Sequence, residues 1–176
     1  HKTVRRQRQM CIRDRDNKIL SLSKTSISGR PHAEDNAIRF ANTNDLKGST
    51  IYVTLEPCTH HGKTPPCTDL IIKKKISKIV YASNDIDERT ANKLKKVLKN
   101  HNISTKQIRM KEITDFYKSY FFIRKNKFPY ITAKLACSND YYIYSKKNKN
   151  ITNELSRKTS HLLRYKNNAI LISSKT

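Results

Sequence analysis

The chain has 176 residues, with 37 Lys or Arg against 14 Asp or Glu and a formal net charge of +23. That length admits one complete domain and part of another, and the cations are spread along the whole chain without an aromatic–basic stacking motif, so nucleic acid is not an expected partner. No apolar run is long enough to span a bilayer and no secretory apolar region is present, so no membrane partner is expected and the expected location is cytoplasmic.

Residues 1–16 show no hydrophobic period and are expected to be disordered, or foreign to the rest of the gene. Pattern begins at 17–22 (Asn-Lys-Ile-Leu-Ser-Leu), which reads as a strand. His32 opens a helical stretch to residue 41. Residues 49–55 (Ser-Thr-Ile-Tyr-Val-Thr-Leu) are rich in β-branched side chains and predict a second strand. Pro57 stands where a helix could start, and Pro65-Pro66 precede a helical run over 67–76. A strand is expected over 78–83, then a helix over 89–99 with Ala91, Leu94, Val97 and Leu98 on one face. A short strand at 107–110 and a helix over 113–124 follow. This alternation predicts an α/β domain with a mixed sheet over residues 17–124. Residues 125–128 (Lys-Asn-Lys-Phe) read as a linker. Beyond it, 129–138 reads as a strand, Thr152 as the N-cap of a helix, and 169–173 as another strand.

The chemistry concentrates in two short segments. His32-Ala33-Glu34 is followed by Thr54-Leu55-Glu56-Pro57-Cys58 and, further on, Pro65-Pro66-Cys67. They offer one imidazole, two thiols and a free carboxylate. His32, Cys58 and Cys67 can hold a zinc ion with one position left for water, whose pKa then falls to about 7. Glu34 is the candidate proton shuttle between that water, a ring and a leaving ammonia. The order His-x-Glu…Pro-Cys…Cys is that of zinc nucleobase deaminases, which act on cytidine or tRNA bases among others. Here eight residues separate the two thiols, rather than the two of that signature. All three ligands are expected near helix N-termini, where thiolates are stabilised. A closed structural zinc site with His60 or His61 as fourth ligand is an alternative that leaves Glu34 without a task, and a basic zinc module that binds RNA is another, which ammonia release would distinguish. Cys11 and Cys137 read as free thiols, because four cysteines of which two bind metal do not form a disulfide framework.

The run Thr54-Leu55-Glu56-Pro57-Cys58-Thr59-His60-His61-Gly62-Lys63-Thr64-Pro65-Pro66-Cys67 strongly resembles the bifunctional deaminase/reductase family of riboflavin biosynthesis. The resemblance covers residues 17–176 and is strongest over 32–70. It implies a cytidine-deaminase-like mixed sheet flanked by helices, followed by the start of a dihydrofolate-reductase-like α/β domain over 129–176. It implies zinc as cofactor, and NADPH only for a full-length reductase domain. The substrate it implies is a small phosphorylated pyrimidine, with His60, Lys63 and Asp85 as binding residues and Glu56 in a supporting hydrogen-bonding role. In the reductase part, Arg164 matches a substrate-binding residue, and Ala136 and Thr176 match cofactor contacts. A homo-oligomer is implied for the full-length protein. Four departures stand out. The family's first helix and Asn-Pro-x-Val-Gly segment are missing from 1–16. Thr25 stands where a His is common, Asn139-Asp140-Tyr141 replaces Leu-Asp-Gly, and Asn150 replaces a Trp. The chain reads as a nearly complete deaminase with a truncated reductase, from which no reductase activity is expected.

Overall fold

The computed structural model describes residues 8–43, 45–144, 146 and 151–172. The chain divides into two compact units, Arg5–Pro129 and a second that contains Tyr130–Thr176.

The first unit is built on a five-stranded mixed sheet. Its strands are β1 (Gln9–Arg13), β2 (Ile19–Lys24), β3 (Thr50–Leu55), β4 (Lys78–Ser83) and β5 (Ser104–Gln107), in the order β2-β1-β3-β4-β5. β1 runs antiparallel to both β2 and β3, whereas β3, β4 and β5 are parallel. The helices are α1 (Ala33–Arg39), α2 (Cys67–Lys73), α3 (Leu94–Leu98) and α4 (Lys111–Asn126). Alternation along β3 sends Ile51, Val53 and Leu55 inward and leaves Tyr52 outside. Ile51 and Val53 join Met10, Ile12, Ile79 and Tyr81, and they pack against Ala37 and Ile38 of α1, Ile71 of α2, and Leu94 and Leu98 of α3. Those three helices therefore cover one sheet face.

α4 lies on the other face, where its buried Tyr117 hydroxyl shares a 2.8 Å hydrogen bond with Thr54 Oγ1. The uncovered part of that face forms an open groove of about 310 Å³, lined by Cys11, Leu22, Tyr52, Val80, Ile108 and Ile113 among others.

Several expectations change. The segment 1–16 is not without an element, because Gln9–Arg13 form a strand paired on both sides, with Met10 and Ile12 in the core; residues 1–7 lie outside the described residues. The helix expected over 89–99 is cut to Leu94–Leu98, followed by a 3-10 turn at Lys99–His101. Side chains compete for the preceding amides: Asp87 accepts from Arg89 N, Glu56 accepts from Asn92 N, and Asn92 adopts φ 60°. The strand expected at 107–110 lies three residues earlier, because the pairing runs from Lys78 with Ser104 to Tyr81 with Gln107.

In the second unit the only described helix is α5 (Glu154–Lys166). Its N-cap is Asn153, one residue after the Thr152 expected, and the Asn153 side chain accepts from Ser156 N at 2.8 Å. Among the described residues no strand forms within 129–138 or 169–172; Asn150 and Ser173 lie outside them. No described residue of this unit is buried. No helix among the described residues is long and apolar enough to cross a membrane.

Candidate metal centre

His32 is the N-cap of α1, extended at φ −69° and ψ 163°, and the helix it opens places Glu34 in its first turn. Cys67 is the first residue of α2. Cys58 follows β3 in a loop, where no helix forms, contrary to the helix start expected at Pro57. Its sulfur is held by the Cys67 backbone N–H, which donates to Sγ at 3.2 Å. The three ligand atoms converge. His32 Nδ1 lies 3.6 Å from Cys58 Sγ and 3.4 Å from Cys67 Sγ, and all three atoms fall within 4.8 Å of one another. Tetrahedral zinc with ordinary Zn–N and Zn–S bonds requires N···S edges of about 3.5 Å, so this triangle has the right size. The Cys58 thiol is pulled down to about 3, chiefly by its hydrogen bond with the Cys67 thiol, with burial opposing and His32 assisting. That same bond, together with burial, pushes Cys67 up.

Glu34 is fully buried, and its Oε2 has no hydrogen-bond partner among the described residues. A buried carboxylate oxygen without a partner is costly, and here it belongs to a group near enough to Cys67 to raise that thiol. The same requirement is met if a polar ligand sits between Glu34 and the three-ligand cluster. The donor set, its spacing and the orphaned oxygen therefore all fit zinc with an open coordination position.

Glu34 Oε1 accepts from Arg8 Nη1 at 3.3 Å, and the other arm of the guanidinium donates to Asp85 Oδ2 at 2.7 Å. Burial works against the Arg8 charge, but Glu34 and Asp85 outweigh it and hold the guanidinium above its usual range. Asp85 also accepts from the Tyr120 hydroxyl at 3.2 Å. Burial and the Asp85 charge push Tyr120 up to about 12, so it remains a donor. Arg8 and Tyr120 escaped the sequence reading: Arg8 lies in a segment without periodicity, and Tyr120 is one of several aromatics in α4.

The other deaminase candidates belong to the first unit. His60 Nδ1 pairs with Thr90 Oγ1 at 2.9 Å, and exposed His61 faces Asp69 at 3.8 Å, so neither joins the three-ligand group. That removes the fourth ligand a closed structural site would need. Lys63 is exposed on the loop between the thiols. The neighbouring Thr64 hydroxyl accepts a hydrogen bond from Arg30. Glu56 is fully buried and saturated, because its oxygens accept from Asp85 N, Asn92 N and Leu94 N at 3.2, 3.2 and 3.3 Å. Thr25, at the position of the family's His, is buried with its hydroxyl unpartnered among the described residues. Ala136 and Arg164 belong to the second unit, where Ala136 is half-buried and Arg164 exposed. Thr176 lies outside the described residues.

Residues 10–83 match the family model of the cytidine and deoxycytidylate deaminase zinc-binding region, and His32, Glu34, Cys58 and Cys67 all fall within that stretch. The first unit thus has the cytidine-deaminase-like fold and is similar, over residues 10–83, to zinc-binding domains of the deaminase type. Over nearly its whole length the chain is, further, similar to the riboflavin biosynthesis proteins RibD. It is 36% identical over 165 residues to that of Aquifex aeolicus (strain VF5), covering 92% of this chain and 46% of the relative. To that of Escherichia coli (strain K12) it is 35% identical over 169 residues, covering 94% and 46%. Among solved structures it is similar to the diaminohydroxyphosphoribosylaminopyrimidine deaminase/5-amino-6-(5-phosphoribosylamino)uracil reductase of Thermotoga maritima. The TM-score is 0.77 at 33% identity, over 88% of this chain and 45% of that one. The chain spans about half the length of the curated relatives it matches.

Proposed function

We propose that the first unit catalyses zinc-dependent hydrolytic deamination of 2,5-diamino-6-(5-phosphoribosylamino)pyrimidin-4(3H)-one, a step of riboflavin biosynthesis. The observation that carries this reading is the unpartnered, buried Glu34 Oε2 beside a three-ligand cluster of zinc dimensions. His32, Cys58 and Cys67 hold the zinc, which when bound supplies water acidified to a pKa of about 7. Glu34 accepts a proton as the oxygen attacks the amino-bearing ring carbon, and protonates the ring nitrogen. A second proton passes through Glu34 to the amino group, which leaves as ammonia while the ring carbonyl forms. Asp85 accepts hydrogen bonds from the ring's amino groups once Arg8 yields its place. His60 and Lys63 receive the ribosyl phosphate side, with Lys63 as a point charge for the phosphate.

The longer loop between the thiols supports this substrate over free cytidine. Ammonia release from the phosphoribosylamino pyrimidine, and none from cytidine at equal concentration, is the expected result. The reverse preference would overturn the reading. The second unit, in a protein extended to the length of its relatives, would reduce the ribosyl group with NADPH.

A further inference from the structure

Glu56 and Thr90 have no place in the proton path, yet both are completely buried beside it. Glu56 stands at the end of β3. One of its oxygens accepts from Asp85 N and Asn92 N, and the other from Leu94 N. These three amides mark the two ends of the segment joining β4 to α3, so one carboxylate closes that segment into a loop. The interior of the loop carries Thr90, whose hydroxyl meets His60 Nδ1 at 2.9 Å. A parallel contact runs from Thr59 Oγ1 to the Arg89 carbonyl at 3.3 Å.

We infer that Glu56 and Thr90 are positioning residues for the substrate: Glu56 sets Asp85 directly, and it sets His60 through the loop that presents Thr90. This rests on the deaminase reading for the roles of Asp85 and His60. The physical reason is the cost of the alternatives. A carboxylate can accept from three amides at once, whereas a carboxamide at position 56 would turn an NH₂ group toward an N–H and leave buried donors unpaired. At position 90, valine keeps the shape of threonine but cannot hold the imidazole, which is then free to rotate.

The test uses the full chain loaded with zinc. Thr90→Val should raise KM roughly tenfold, the worth of one net hydrogen bond, while kcat stays within twofold and zinc content is unchanged. Thr90→Ser, which keeps the hydroxyl, should restore KM. Glu56→Gln should lose amide hydrogen-exchange protection at Asp85, Asn92 and Leu94 and raise KM further, again with zinc retained. A Thr90→Val protein with the wild-type KM, or one that serine does not rescue, overturns the inference. If the wild type releases no ammonia from this pyrimidine, the substrate reading fails by itself. The positioning inference is then decided by exchange alone, and retained protection in Glu56→Gln contradicts it.

Discussion

The two units differ in what they bury. In Arg5–Pro129 the sheet and three helices close over one core, and four polar groups of the candidate site (Glu34, Glu56, Asp85 and Thr90) are enclosed with it. In the second unit α5 has an N-cap, but its Leu155, Leu162 and Tyr165 stay 72%, 49% and 85% exposed. A helix with correct local signals and no partner surface among the described residues gains little from them, since most helix stability in proteins comes from packing an apolar face. Reaction geometry needs side chains held firmly, and the core of the first unit does this for its polar groups. Within the first unit the same lesson recurs in two carboxylates. Glu56 is saturated by backbone donors and builds the site, whereas Glu34 keeps one oxygen free and can work in it.

The strongest way to break this contrast is to remove a ligand. Cys67→Ser should bring zinc content from about one equivalent to near none and abolish deamination, as measured by metal analysis and ammonia release. A variant that keeps full zinc would mean that another group completes the site. A smaller effect compares the two units directly. Ile12→Ala should cost about 2–5 kcal/mol, because Ile12 is fully buried in the strand between β2 and β3. Leu162→Ala should change stability by less than about 0.5 kcal/mol, as expected for an exposed site. Denaturant unfolding of both variants measures this, and equal losses would mean that the second unit has a core of its own. The smallest expected effect concerns Arg8, which bridges Glu34 and Asp85 and which, in the proposed reaction, gives way to substrate. Arg8→Ala should lower KM a few-fold, and a raised KM would show instead that Arg8 helps to bind the pyrimidine.

What was legible in the sequence follows from how local each signal is. The zinc ligands and Glu34 lie in two short motifs whose residues are their own evidence. β4 is a contiguous apolar run and occupies the expected 78–83. β1 was missed because only Met10 and Ile12 point inward, within an arginine-rich stretch too short to show a period. The helix is shorter than its 89–99 pattern because the groups that unwind its first turn come from Asp87 and from Glu56, which is distant in sequence. Thr90 and Arg8 act only through tertiary contacts, so no spacing rule could have found them. In the second unit strand propensity at 129–138 had no partner strand to realise it among the described residues, a case of local preference without context.

The most direct test of the central claim is ammonia release from the phosphoribosylamino pyrimidine by zinc-loaded wild type and by zinc-loaded Glu34→Gln, side by side. Glutamine keeps the shape of Glu34 and removes the base. Wild type should turn over, and Glu34→Gln should keep its zinc and lose about 10²–10⁴-fold in rate. A Glu34→Gln protein within a few-fold of wild type would contradict the account.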